Sequence, residues 1–329
     1  MTHSMRAVIA RRSGVNYAVQ VTQTARPVPA AGQLLIKVTA SGINPADLLQ
    51  AQGRYPPPRG ESDVLGLEIA GIVVEKGAAV HDFAVGDAVC ALLAGGGHAD
   101  YAVAHADCVL PIPPHVDATS AAALPEAHFT AWTNLMDCGR LRAGESVLIH
   151  GGAGGIGSAA IQLCAYRGHT VFATAGTPER ASICSRLGAT RAIDHSRDDF
   201  VGIIRKETKG AGVDMILDVV GADYIGRNMQ AAAVGGRIVN IAFQAGSTAT
   251  VNFAPMLTKH LSLFATTLRN RSVPEKRAIR DALARNVWPA IADGKIKPVV
   301  DRTFPLAEAV SALEYLARGR HIGKILLVP

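Results

Sequence analysis

The chain has 329 residues, 49% apolar and 18% charged, enough apolar material for about two packed domains and too little charge density for a disordered chain. Its net charge of +6 comes from scattered Lys and Arg with only 5% aromatics, which argues against a nucleic-acid surface. There is no run of 18 apolar residues to cross a membrane, no apolar signal core in MTHSMRAVIARRSG, and no Cys-x-x-Cys pair among the five cysteines, so the expectation is a soluble, cytoplasmic protein without a disulfide framework or zinc knuckle.

From Met5 to about Ala123, short β-like runs (AVIA, LLIKVTA, IAGIVVE, DAVCALL) are broken by glycines and by Pro27, Pro29 and Pro56-Pro57-Pro58. That pattern predicts a mostly β domain with one loop-rich wall. After Pro125 the runs VLIH, TVFAT, RAID, DMILDVV, GRIVNIA and LSLFAT alternate with stretches of helical composition such as SAAIQLCAYRG and ERASICSRLG. Strands alternating with helices predict a parallel, doubly wound sheet. Beyond about Arg269 the chain reads as a helix over PEKRAIRDALARNVWPAIADG, a second over LAEAVSALEYLARG and a last strand, KILLVP.

The strongest local signal is Gly152-Ala153-Gly154-Gly155-Ile156-Gly157, which fits G-x-G-x-x-G, follows the predicted strand Ser146–His150 and opens an Ala-rich helix. Glycines there permit the tight turn, let the backbone approach a pyrophosphate and let the helix pack on the strand, while helix N–H groups face the anion. The second strand, Thr170–Thr174, ends in Ala175-Gly176-Thr177-Pro178-Glu179-Arg180. A site for NAD places a carboxylate at that tip to hold the ribose 2′-hydroxyl; none stands immediately there, whereas Arg180 lies a turn beyond, as a 2′-phosphate requires. Two other readings stay open, with Glu179 as a displaced ribose ligand or Arg180 as a solvated helix charge.

HGGAGGIGSAAIQL, with GINPADLLQAQGRYPPP, VLGLEIAGIV, GDAVCALLAGGGHADYA and AAALPEAHFTAWTNL, strongly resembles the quinone oxidoreductase branch of the medium-chain dehydrogenase/reductase superfamily, from about Arg6 to Pro329. The resemblance implies an α/β protein with a GroES-like β-rich catalytic domain (1–124 and 269–329) and a Rossmann doubly wound parallel sheet (125–268). It also implies NADPH as hydride donor and a homodimer or a pair of dimers. Zinc-dependent relatives use a Cys, a His in Gly-His-Glu, and a further Cys or Asp as ligands; here the first two positions are Asn44 and Leu67, and Ala91–Gly97 runs straight into His98 where the lobe of four structural cysteines would stand. No zinc is expected, and His98, His105, His115 and His128 are expected to be surface or core residues.

Without a metal, the protein must hold the nicotinamide near a conjugated acceptor, whose negative charge delocalises and so needs less electrophilic help. Asn44 can donate a hydrogen bond to the acceptor carbonyl or to cofactor hydroxyls. The resemblance places Tyr55 near the nicotinamide, as a hydrogen-bond donor to the developing oxyanion or as an apolar lid. It also carries over Thr130, Phe243 and Leu268 as cofactor neighbours, each equally readable as packing, and His195 as a possible donor to the 2′-phosphate. The first functional reading is NADPH-dependent reduction of a quinone; the alternatives are reduction of an enone, enal or enoyl thioester and, from another class, an NADPH-sensing binding protein. The apolar strand Leu261-Ser262-Leu263-Phe264 is expected to form the edge at which two copies pair.

Overall fold

The computed structural model describes residues 4–13 and 16–329, and its strands segregate into two units: residues up to Phe129 with Arg269–Pro329, and Thr130–Leu268. The first unit opens with an antiparallel hairpin, β1 (Ser4–Ser13) and β2 (Asn16–Ala25). Its main sheet is built on β3 (Gln33–Ile43), whose buried Leu34, Ile36 and Val38 pack into one core with Ile69, Val73, Val89 and Val109. Each such side chain contributes roughly 1.5–3 kcal/mol on burial. Helix α1 (Pro45–Ala51) follows, then β4 (Glu68–Lys76), β5 (Ala88–Leu92), β6 (Tyr101–His105) and β7 (Val109–Pro111). Strand β3 pairs with β4 along one edge and with β6 over Gln33–Lys37.

The second unit starts inside a helical segment, α2 (Pro125–Trp132), which runs into a π-helical turn at Thr133–Cys138. Six parallel strands follow, β8 (Ser146–Ile149), β9 (Thr170–Ala175), β10 (Arg191–Asp194), β11 (Val213–Asp218), β12 (Ala232–Asn240) and β13 (Ser262–Ala265), side by side in the order β10-β9-β8-β11-β12-β13. This is the doubly wound order expected from the alternation of strands and helices, and it puts a topological switch point at the carboxyl end of β8. Helices α3 (Gly155–Tyr166) and α4 (Pro178–Arg186) are the first two crossovers.

From Arg269 the chain is again part of the first unit. The single helix expected over 274–294 is two, Val273–Asn286 and Trp288–Ala292, because Val287 leaves helical geometry (φ −121°, ψ −45°) and Pro289 has no N–H to continue the ladder. Strand β14 (Val300–Pro305), which the sequence reading did not foresee, pairs with the expected last strand β15 (Lys324–Val328), and β15 pairs with the end of β3 at Ser41–Ile43. Leu313, Leu316, Ile325 and Leu327 close a second core against Val8, Ile43 and Leu65. The closing strand therefore delivers Lys324 to the residues around Asn44.

Candidate active site

In the second unit the loop after β8 is shaped by three different constraints. A Cβ on Gly157 would lie 2.3 Å from the Gly151 carbonyl oxygen, and one on Gly152 would lie 2.8 Å from Cys184 Sγ and 2.9 Å from Ile161 Cδ1; both are glycine because the protein itself fills the space. Gly154, the residue before α3, differs: a Cβ there meets nothing closer than Gly151 O at 3.3 Å. Its outer face is open, and a glycine there lets a ligand approach the backbone. The first N–H groups of α3 have no partner within the helix, so the open face lies beside anion-binding donors. The loop is tied to the next strand by Gly152 N–H donating to Thr174 O at 2.8 Å, and beneath it burial pushes the Cys184 thiol up to about 11.

At the tip of β9, Thr177 caps α4, its hydroxyl oxygen accepting from Arg180 N–H at 3.3 Å. A Cβ on Gly176 would lie 3.4 Å from His195 Nε2, so the exposed imidazole stands over the glycine. Arg180 is half-buried and Glu179 exposed; the Glu179 carboxylate, bonded to its own N–H and to the Thr177 hydroxyl, is held below the usual range. The neighbouring Asp194 is likewise held low, chiefly by the Ser196 hydroxyl, which donates to Oδ1 at 2.7 Å. Gly152–Gly157, Gly176, Thr177, Arg180 and His195 thus gather at the carboxyl ends of β8, β9 and β10.

Of the other expected cofactor neighbours, Phe243 follows β12, is 53% exposed, and has its ring against Gly221, where a Cβ would lie 2.7 Å from Cδ1. Thr130 and Leu268 are buried. The Thr130 carbonyl accepts from Asn134 Nδ2 at 2.8 Å, and Asn134 Oδ1 accepts from the Thr266 hydroxyl.

In the first unit Asn44 is 5% exposed and engaged on both atoms of its amide. Nδ2 donates to Gly42 O (3.1 Å) and Glu68 Oε1 (3.0 Å), and Oδ1 accepts from Lys324 Nζ (2.5 Å). Lys324 also forms an ion pair with Glu68, both side chains buried, and Glu68 Oε2 accepts from Glu126 N–H at 2.9 Å. The amide expected to reach an acceptor is therefore committed to a buried network, and an ammonium already stands among its oxygens. Leu67 is buried and aliphatic. This donor set does not fit zinc, and among the described residues no group of three His, Cys, Asp or Glu is placed to hold a metal.

Beside it, Asp47 accepts from Asn44 N–H (2.7 Å) and Gly66 N–H (2.9 Å), and lies 3.4 Å from His98 Nε2, whose Nδ1 is 2.8 Å from Ser41 Oγ. Ser41, His98 and Asp47 have the chemistry of a hydrolase triad but are each at most 1% exposed; Asp47 caps α1 and holds the turn at Gly66, with His98 and Ser41 buried behind it. His128 is equally buried, and burial pulls it down to about 4, whereas His115 is exposed and His105 half-exposed.

Tyr55 is half-buried, and no hydrogen bond of its hydroxyl is found among the described residues. Burial pushes the phenol up from its ordinary value, Glu126 adds to that, and the Arg269 guanidinium opposes it. Arg269, Lys324 and Glu68 escaped the sequence reading. Glu68 alone had a local signal, as the acid of Gly66-Leu67-Glu68.

Residues 30–114 match the alcohol dehydrogenase GroES-like domain and residues 187–327 the zinc-binding dehydrogenase family. Over 320 residues, 96% of this chain, the sequence is 34% identical to phthioceranic/hydroxyphthioceranic acid synthase of Mycobacterium tuberculosis (strain ATCC 25618 / H37Rv), of which the chain spans only 15%. Among solved structures, an alcohol dehydrogenase superfamily protein from Novosphingobium aromaticivorans is 31% identical with a TM-score of 0.86, covering 99% of this chain and 100% of that one. CurK enoyl reductase is 29% identical (TM-score 0.84; 98% and 99% covered). Escherichia coli quinone oxidoreductase complexed with NADPH is 26% identical (TM-score 0.85; 99% and 100%).

Proposed function

This chain belongs to the medium-chain dehydrogenase/reductase superfamily and is an oxidoreductase, and from that premise we propose that it reduces a carbon–carbon double bond conjugated to a carbonyl, as in an enone, enal or enoyl thioester, at the expense of NADPH. The observation that carries the reading is the Asn44–Lys324–Glu68 network with Leu67 beside it, a closed and internally charge-balanced cluster, which favours Tyr55 as the acceptor-side donor. A hydrogen bond from a phenol suits a conjugated acceptor, where charge spreads into an enolate, better than an isolated ketone. When bound, the dihydronicotinamide supplies the hydride. The chain's part is to cradle the pyrophosphate at Gly152–Gly157, to meet a 2′-phosphate with Arg180, Thr177 and His195, and to donate from Tyr55 to the developing enolate oxygen. Neither zinc nor another metal enters any step.

The likeness to CurK enoyl reductase, beside that to phthioceranic/hydroxyphthioceranic acid synthase, favours the enoyl reading over the quinone reading that the sequence put first. Quinone reduction remains a second reading, supported by the likeness to the NADPH-complexed quinone oxidoreductase. Steady-state NADPH oxidation with a crotonyl thioester, an enal, an enone and a benzoquinone decides between them. Saturable turnover of the thioester or enal with saturated product supports the proposal. Turnover of the quinone alone refutes it in favour of the second reading, and titration of the protein with NADPH and no turnover of any acceptor leaves a binding protein.

A further inference from the structure

The segment that carries Tyr55 has few main-chain bonds of its own. The turn after α1 is closed by Gly53 N–H to Gln50 O (2.9 Å) and Arg54 N–H to Leu49 O (2.8 Å). Tyr55 is then followed by Pro56, Pro57 and Pro58, which have no N–H to donate. Among the described residues, the bond that reaches the Tyr55 main chain comes from Arg269, whose Nη1 donates to Tyr55 O at 3.0 Å. The same guanidinium donates through Nε to Ala94 O (2.7 Å) and through Nη2 to Gln50 Oε1 (2.7 Å). One planar fork thus ties the end of α1, the Tyr55 segment and the stretch after β5 to each other. Arg269 is itself anchored, since its carbonyl accepts from the buried Lys276 Nζ at 2.8 Å.

The partners of this fork are all neutral. Arg269 is 5% exposed, yet no carboxylate lies within ion-pair distance of it among the described residues, and its guanidinium carbon is 5.2 Å from the centre of the Tyr55 ring. Asp47, Glu126 and Glu61 act on this guanidinium only from beyond ion-pair distance, so its charge is less fully cancelled than that of Lys324, which Glu68 pairs directly. Resting on the proposed function, we propose that Arg269 is a positioning residue for the reduction, holding the Tyr55 main chain in register and supporting the phenol as a hydrogen-bond donor. It acts through Tyr55 and touches neither substrate nor cofactor in this role.

The test is a double-mutant cycle with a substrate-free arm. Arg269→Gln keeps a polar side chain but removes the charge and the fork, and should lower kcat about tenfold with the best acceptor while leaving the NADPH Kd unchanged. In a Tyr55→Phe background the same change should alter kcat less than about twofold, because groups that act as one unit are not additive. Arg269→Lys, which restores a charge, should recover part of the loss. Independently of any acceptor, amides of residues 50–55 should exchange hydrogen faster in Arg269→Gln while those of Thr130–Leu268 do not change. Multiplying effects in the double variant, or a silent Tyr55→Phe beside a damaged Arg269→Gln, overturns the proposal. So does unchanged exchange at 50–55. If the wild-type protein turns over no acceptor, it is the functional reading that fails, and the exchange arm still decides whether Arg269 holds the loop.

Discussion

Gly154→Ala separates the glycine that serves a ligand from those that serve the fold. The new methyl would sit 3.3 Å from Gly151 O and near nothing else. The residue is extended (φ −82°, ψ 178°), a geometry alanine adopts freely. The stability cost is that of a poorer cap, about 0.5 kcal/mol, plus a small shift of Gly151 O by a few tenths of an ångström to accommodate the methyl. That lowers Tm by roughly 1–3 °C in a unit of this size. A methyl at the open face would, however, stand where the pyrophosphate must approach, and losing close backbone contact should weaken NADPH at least about tenfold, or roughly 1.4 kcal/mol. Gly157→Ala is the control: its methyl would fall 2.3 Å from Gly151 O and 2.7 Å from Gly152 Cα, overpacking that costs about 1–3 kcal/mol and lowers Tm by several degrees. Nucleotide titration by intrinsic fluorescence and thermal melts give both quantities. Unchanged NADPH affinity in Gly154→Ala, with Tm intact, would refute the assignment of the loop as the pyrophosphate cradle.

Arg180→Ala should weaken NADPH about ten- to a hundredfold and leave NADH nearly unaffected, as loss of a charge-assisted bond of roughly 1.5–3 kcal/mol implies; equal changes for both dinucleotides in a titration would make Arg180 a surface charge. Strand β13 ends the parallel sheet with all four residues exposed, Leu263 at 39% and Phe264 at 37%, so light scattering at micromolar concentration should give a dimer and Phe264→Lys a monomer; a monomeric wild type rules this interface out. Burial pulls His128 and His150 down to about 4, below the roughly 6.5 of an unfolded chain. Between those values the unfolded state binds the protons, so stability falls as pH drops from about 6.5 toward 4, by up to about 1.4 kcal/mol per pH unit for each His; a Tm constant from pH 7 to 5 contradicts this. Lys324→Met leaves Glu68 buried and unpaired, and should cost about 3–5 kcal/mol in denaturant melts unless Glu68 takes up a proton, which a stability deficit that shrinks at lower pH would reveal.

The parts of this fold that could be read from sequence are those whose constraint is local. The inner parallel strands announce themselves because both faces are buried and the runs are continuously apolar, as in Met215-Ile216-Leu217 of β11. Strand β14, Val-Asp-Arg-Thr-Phe-Pro, is mostly exposed and has no such run, so only its pairing with β15 makes it a strand. The glycine loop is legible for the same local reason: turn, approach and helix packing are set within six residues. Arg269 and Lys324 are not, since they meet Gln50 and Asn44 across 219 and 280 positions of chain.

That distance in sequence explains why the partners of Asn44 could not be read along the chain. Seen along the chain, the Asn44 amide is a free donor; in the folded unit the returning strand β15 brings Lys324, and one carboxylate oxygen of Glu68 and the amide oxygen of Asn44 close on it. A buried glutamate is a negative charge held out of water, and an internal ammonium is a compact way to cancel it. Because that ammonium is cancelled, it has little field left to offer an acceptor. Arg269 has no directly bonded carboxylate: its guanidinium bonds neutral groups, feels Asp47, Glu126 and Glu61 only from beyond ion-pair distance, and lies 5.2 Å from the Tyr55 ring. Lys324 and Arg269, both buried in this unit, should therefore separate by assay: losing Lys324 registers in the melting curve, losing Arg269 in turnover.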